Sequence, residues 1–141
     1  MVADNFRSVL LVGDFDREED ALIRSVCVRL RCRFSQVDNW PEAPYLKDDF
    51  AQVVIAQSEG SAWNWKTILD HCQRAVWQPH LIVTSRTADE RLWAEVLNLG
   101  GYDVLAQPFN RDEVERVVAS AARRDAAIPP ESQRGGFLTG Y

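Results

Sequence analysis

The chain predicts an α/β fold: a doubly wound, five-stranded parallel sheet with helices on both faces. Three observations predict it. Short, continuously apolar runs alternate with segments of helical periodicity from Ser8 to Ala121. Three of the runs lead directly into helix-start signatures, as the strand-turn-helix step of a βαβ unit requires. The length of 141 residues, with 46% apolar and 26% charged side chains, suits one globular domain with a tail.

Ser8 to Val12 is unbroken by polar alternation, as expected of a strand covered on both faces. Leu22, Ile23, Val26, Cys27 and Leu30 follow at helical spacing, and Phe34 to Val37 reads as the second strand. Trp40-Pro41-Glu42-Ala43-Pro44-Tyr45 holds two prolines and permits only a short or distorted second helix. Val53 to Ala56 is the third strand, and Ile68, Leu69, Cys72 and Val76 give the third helix its apolar face, which Trp65 shares. Leu81 to Val83 is the fourth strand, Leu92 to Leu99 lies in the fourth helix and Val104-Leu105 marks a short fifth strand. Val114, Val117, Val118 and Ala121 complete the final amphipathic helix.

Asp16 with Glu19, Thr87 with Glu90 and Asn110 with Glu113 each pair an N-cap residue with a glutamate three positions on. A cap directly after a strand turns that strand's carboxyl end toward the helix start. Asp14, Gln57, Thr84 and Gln107 are thereby gathered on one edge of the sheet, where open α/β sheets place their sites.

The net charge of -5 argues against nucleic acid, whose phosphates need a basic surface. Arg24, Arg29, Arg31 and Arg33 form a local basic cluster, read as a solvated face or as a dock for an acidic partner. No apolar stretch approaches membrane-spanning length and no charged-then-apolar leader pattern opens the chain, so a cytoplasmic location is expected. Cys27, Cys32 and Cys72 are odd in number and lack metal spacing; they read as reduced thiols, with Cys27 and Cys32 on one helix. His71 and His80 have no convincing ligand set. The domain is expected over residues 6–125, followed by a flexible tail over 126–141 whose tip, Phe137 to Tyr141, reads as a frayed end or a short docking peptide.

The four strand ends are Val12-Gly13-Asp14, Ala56-Gln57, Val83-Thr84-Ser85 and Ala106-Gln107-Pro108, and the stretch Pro79 to Phe109 carries a glycine pair after a helix, a short strand and a Pro-Phe. In order and spacing this resembles the response-regulator receiver domain of two-component signalling, over roughly residues 6–125. The resemblance implies the flavodoxin-like strand order 2-1-3-4-5 and a cis Gln107–Pro108 bond. It also implies a site of an acidic pair, a phosphoacceptor aspartate, a Thr/Ser and a lysine. Asp14 matches the second acid of the pair, with Gly13 at the first. Gln57 stands at the acceptor position, Thr84 at the hydroxyl and Gln107 at the lysine, ahead of Pro108. An amide is a poor nucleophile and a neutral ligand, so the resemblance implies a degenerate pseudo-receiver, not an enzyme, with no resident metal and Mg²⁺ binding weak or absent, Asp14 being the one weak candidate ligand.

The two glutamines are consistent with each other. Removing only the aspartate would strand a partly buried lysine, at about 3–5 kcal/mol for a pair broken on one side. A hydrogen bond between Gln57 and Gln107, shared with Thr84, is therefore expected. Val104 stands where the family carries a coupling aromatic, with Tyr102 two residues earlier as a partial substitute.

The function expected is a phosphorylation-independent protein-interaction module. Two alternatives remain: a regulator still controlled by phosphotransfer or a ligand through a modified site, with Ser58 or Glu59 as an unusual acceptor or ligand, or a haloacid-dehalogenase-type phosphatase. The last shares Asp14-Phe15-Asp16 after a strand and Thr84 at a later strand end, but lacks the expected Thr or Val after Asp16 and a later lysine. For an interaction module, Arg91, Trp93 and Tyr102 mark the expected surface, for a protein partner or a homodimer, on the side of the fourth helix, fifth strand and final helix.

Overall fold

The computed structural model describes residues 7–38, 40, 51–58, 63–75 and 78–123. Strands β1 (Arg7–Val12), β2 (Cys32–Val37), β3 (Val53–Gln57), β4 (His80–Ser85) and β5 (Asp103–Ala106) pair in parallel in the order β2-β1-β3-β4-β5. Helices α1 (Arg17–Arg29), α2 (Trp65–Arg74), α3 (Glu90–Leu99) and α4 (Arg111–Ala122) are the first, third, fourth and final helices expected from sequence. The expected second helix, apart from Trp40, and the tail beyond Arg123 lie outside the described residues.

Strand alternation divides the core in two. Val9, Leu11, Ile55, Ile82 and Leu105 face α1 and α4, where Ile23, Val26, Val114 and Val118 are fully buried. Leu10, Val12, Val54 and Val83 face the other way, against Ile68, Cys72 and Val96 of α2 and α3. Trp65 is core, as its spacing predicts, and Trp40 and Trp63 join the same cluster. The Trp40 indole N–H donates to Nδ1 of His71 at 2.7 Å, so that imidazole packs against an aromatic rather than serving a metal.

The chain punctuates its helices at the carboxyl ends of the strands. Asp16 accepts from the Glu19 amide at 2.8 Å while Glu19 Oε1 accepts from the Asp16 amide at 3.1 Å, a reciprocal capping box. Asn110 accepts from the Glu113 amide at 2.9 Å. The Thr87 cap is a correction: α3 starts later, with Asp89 accepting from Leu92 N at 2.9 Å, while Thr87 N donates to Ser85 Oγ. A carboxylate two residues on is the stronger cap. The first helix is also shorter than its apolar spacing suggests. Arg31 turns left-handed (φ 61), and Cys32 opens β2, so Cys27 and Cys32 belong to different elements. At the far end of α3, Gly100 takes φ 111, a conformation that favours glycine, and the Gly101 amide closes on Val96 O at 2.8 Å. Among the described residues no helix is long and apolar enough to cross a membrane.

Burial pushes the Cys27 and Cys72 thiols up to about 12, with the neighbouring Cys32 adding to the effect at Cys27 and Arg24 opposing it. Cys32 is raised too, chiefly by burial. Between the ordinary thiol value of 9.0 and about 12 the folded chain therefore holds protons that the unfolded chain has lost. Stability is intact below that window and falls as pH rises through it. Each buried thiol is expected to contribute a loss of about 1.4 kcal/mol per pH unit there. Urea unfolding between pH 9 and 11 measures it, and Cys27→Ala with Cys72→Ala together should flatten the slope by about twice that amount.

Candidate functional site

The sheet's carboxyl edge does assemble the four strand ends. Gly13 and Asp14 follow β1, Gln57 ends β3 beside Thr84 of β4, and Gln107 follows β5 with its amide on Ser85 O at 2.9 Å. The Gln107–Pro108 bond is cis, as the resemblance implied. Thr84 and Gln107 are buried, Gln57 is half-buried and Asp14 is exposed.

The expected Gln57–Gln107 hydrogen bond is not formed, which is the main correction at the site. Gln57 folds back on the first strand's turn instead. Its Oε1 accepts from the Asp14 amide and its Nε2 donates to the Asp14 carbonyl, both at 3.1 Å. One side-chain amide thus imitates a peptide group and satisfies both main-chain atoms of Asp14. Gly13 makes this possible. It adopts φ 130, and a Cβ there would lie 2.5 Å from Gln57 Oε1 and 2.8 Å from its Cδ. A side chain at position 13 would therefore compete with the Gln57 amide for the same space.

Gln107 turns to a partner whose second role the sequence concealed. Its Nε2 donates to Oε2 of Glu19 at 2.9 Å, and the same oxygen accepts from the Arg86 guanidinium at 2.8 Å. Glu19 is only 6% exposed. Its carboxylate thus takes the α1 cap, Gln107 and Arg86 at once, while Arg86 also lies 3.9 Å from Asp16 Oδ2. A buried carboxylate needs this degree of pairing. The capping box alone accounted for Glu19 in the sequence; the remaining signal was Arg86, a cation two residues past Thr84. Thr84 Oγ1 is buried and has no hydrogen-bond partner among the described residues. Ser58 is half-buried with its amide on Thr84 O at 2.8 Å, and Glu59 lies outside the described residues.

The three expected surface residues do not share one face. Trp93 and Tyr102 line a groove of about 850 Å³ between α3, β5 and α4. Arg91 points instead to a smaller cavity of about 390 Å³, with Ser58, Lys66 and Ser85. Trp93 is half-buried and its indole donates to Asp103 Oδ1 at 3.2 Å. Tyr102 does not stand in for the missing aromatic at Val104. It precedes β5, packs on the α1–α4 side beside the His80 ring and hydrogen-bonds Ser120 through its hydroxyl, whereas Val104 is buried in the opposite cluster.

No family model matches the chain, and no curated protein matches it by sequence. Solved structures do. A signal receiver domain from Vibrio parahaemolyticus superposes with a TM-score of 0.74 at 19% identity, over 83% of this chain and 90% of that one. A response regulator receiver domain protein from Clostridium thermocellum gives 0.74 at 12%, over 88% and 100%. The chemotaxis response regulator CheY4 of Vibrio cholerae gives 0.69 at 13%, over 82% and 98%. The chain has the receiver fold.

That fold family implies a divalent cation at this edge, and the residues present do not fit one. Gly13 offers no oxygen from a side chain, Gln57 Oε1 is taken by the Asp14 amide, and Glu19 Oε2 is taken by Gln107 and Arg86. Asp14 is left as a single exposed carboxylate where a hard cation asks for about six oxygens.

The Gly13–Gln57 exclusion gives a direct test. Gly13→Ala introduces both a strained backbone and a clash, and should cost about 1–3 kcal/mol in urea unfolding. In Gly13→Ala/Gln57→Ala the clash is gone, so the loss should be smaller than the sum of the two single changes. Simple additivity would show that the two side-chain volumes do not compete.

Proposed function

We propose that the chain is a receiver-like signalling module of the two-component type that works through protein–protein contact without being phosphorylated. The observation that carries this reading is the internal satisfaction of the site. Gln57 is tied to the Asp14 main chain, and Glu19 is paired with Arg86 while it also holds Gln107. Aspartyl phosphorylation needs a carboxylate nucleophile and positive charge to neutralise the incoming group. Here the residue at the acceptor position is an amide, and the Arg86 guanidinium is already paired with Glu19. On this reading the chain is not an enzyme, acts in the cytoplasm, and offers a permanently available surface on the side of α3, β5 and α4.

A second reading, a regulator still controlled by phosphotransfer or a ligand at a modified site, is favoured by one observation: the Thr84 hydroxyl is buried with no partner among the described residues. Incubation with acetyl phosphate and Mg²⁺, followed by intact mass, separates the two. No added phosphoryl group is expected. Gln57→Asp is expected to remain unlabelled as well, because Gly13 and Gln107 still leave the metal ligand and the counter-charge missing. Stable labelling of the unaltered chain would favour the second reading.

A further inference from the structure

The α3–β5–α4 groove has an apolar floor, with Trp93, Leu97, Val104 and Val117, under an acidic rim. Asp89, Glu90, Asp103 and Glu113 line it against one cation, Arg116. Asp103 is fixed in place, its Oδ1 accepting from both Trp93 Nε1 and Val104 N, and its Oδ2 makes no hydrogen bond among the described residues. From Asp89 to Asn98 the α3 wall spans nine residue steps, or about 14 Å at 1.5 Å per residue. The site is shaped for a short segment that brings one apolar contact and at least two positive charges.

The opposite edge of the sheet presents such a segment. Residues 21–37 contain four arginines and no acid. On the outer side of α1, Val28 is 72% exposed, the most exposed large hydrophobic side chain among the described residues. Arg24 lies one helical turn before it, and Arg31 follows just past the helix end, where the chain turns left-handed into β2. Arg31 makes no ion pair among the described residues. Arg24 meets only Asp20 at 3.7 Å and the Phe34 ring, and Arg29 is spent on Glu115 at 2.6 Å. Because α1 and the groove walls are all fixed on the same sheet, a chain cannot bring the outer side of its own α1 to its own groove.

We propose that the occupant of the groove is the Arg24–Val28–Arg31 face of a second copy, so that copies associate head to tail. This rests on the reading of that side as an interaction surface and names its partner. The complementarity is between two different patches, which makes the contact heterologous. Such contacts extend until a ring closes or the chain of copies runs on, whereas two grooves facing each other would oppose acid to acid.

Sedimentation velocity across a range of concentrations reads this out. At 50 mM NaCl the weight-average mass should rise past that of a dimer, and at 500 mM NaCl it should return toward the monomer. Val28→Glu blocks one patch and Glu90→Lys/Glu113→Lys the other, both on exposed or half-buried positions, and circular dichroism checks that each variant is folded. Each variant alone should be monomeric, and an equimolar mixture should form a heterodimer that grows no further, because one intact patch of each kind remains. If Val28→Glu still dimerises while the groove variant does not, the groove pairs with itself: head-to-tail association is overturned and the interaction surface stands. A monomer under every condition overturns the proposal, and leaves the phosphorylation-independent reading to be judged by the acetyl phosphate experiment.

Discussion

Three structural elements meet on the carboxylate of Glu19. Its first oxygen closes the capping box of α1, and its second holds the guanidinium that follows β4 and the amide that follows β5. In the low-dielectric setting of a 6% exposed side chain, these donors are what make an ionised carboxylate tolerable, and the carboxylate is in turn what orients them. The register of α1 against the sheet edge, the path of the chain after Thr84 and the direction of Gln107 are all set by one group. The charge at this edge of the sheet is paired within the fold.

Much of this was legible in the residues. Continuous apolar runs identified the strands because a parallel sheet is covered on both faces, and the caps at Asp16 and Asn110 followed from carboxylate or amide chemistry that works locally. Where two local signals competed, pattern reading failed: Thr87 and Asp89 both offer a cap, and the stronger cap, the carboxylate, wins. The beginning of β2 was hidden for a related reason. Cys27, Leu30 and Cys32 continue a plausible helical stripe, and the left-handed turn at Arg31 that ends it is made by a residue with no special preference for it. The pairing of the two glutamines was a sound argument about charge that omitted the backbone. Gln57 found two unpaired main-chain atoms closer than its expected partner, and Gln107 found a carboxylate, a better acceptor than another amide.

The overall net charge of -5 conceals a division that matters more than its sum. Arginines gather along the α1 and β2 edge while the groove beside β5 is rimmed by carboxylates. The two patches lie toward opposite ends of the strand order, so the described surface presents opposite charge in two separate places. The three expected surface residues divide as well. Trp93 and Tyr102 belong to the acidic groove, Arg91 to another wall of α3, although all three lie within a dozen residues of one another.

The shared volume at Gly13 and Gln57 also imposes a direction on change. A side chain at position 13 meets the Gln57 amide and a backbone held at φ 130, so an acid arriving there first enters an occupied space. Shortening Gln57 first empties the space but releases the two main-chain atoms of Asp14 that its amide had satisfied. Either single step passes through a state worse than its start, and only the pair together reaches an acidic pocket. Glycine and glutamine are therefore coupled: a change at either position alters what the other can become.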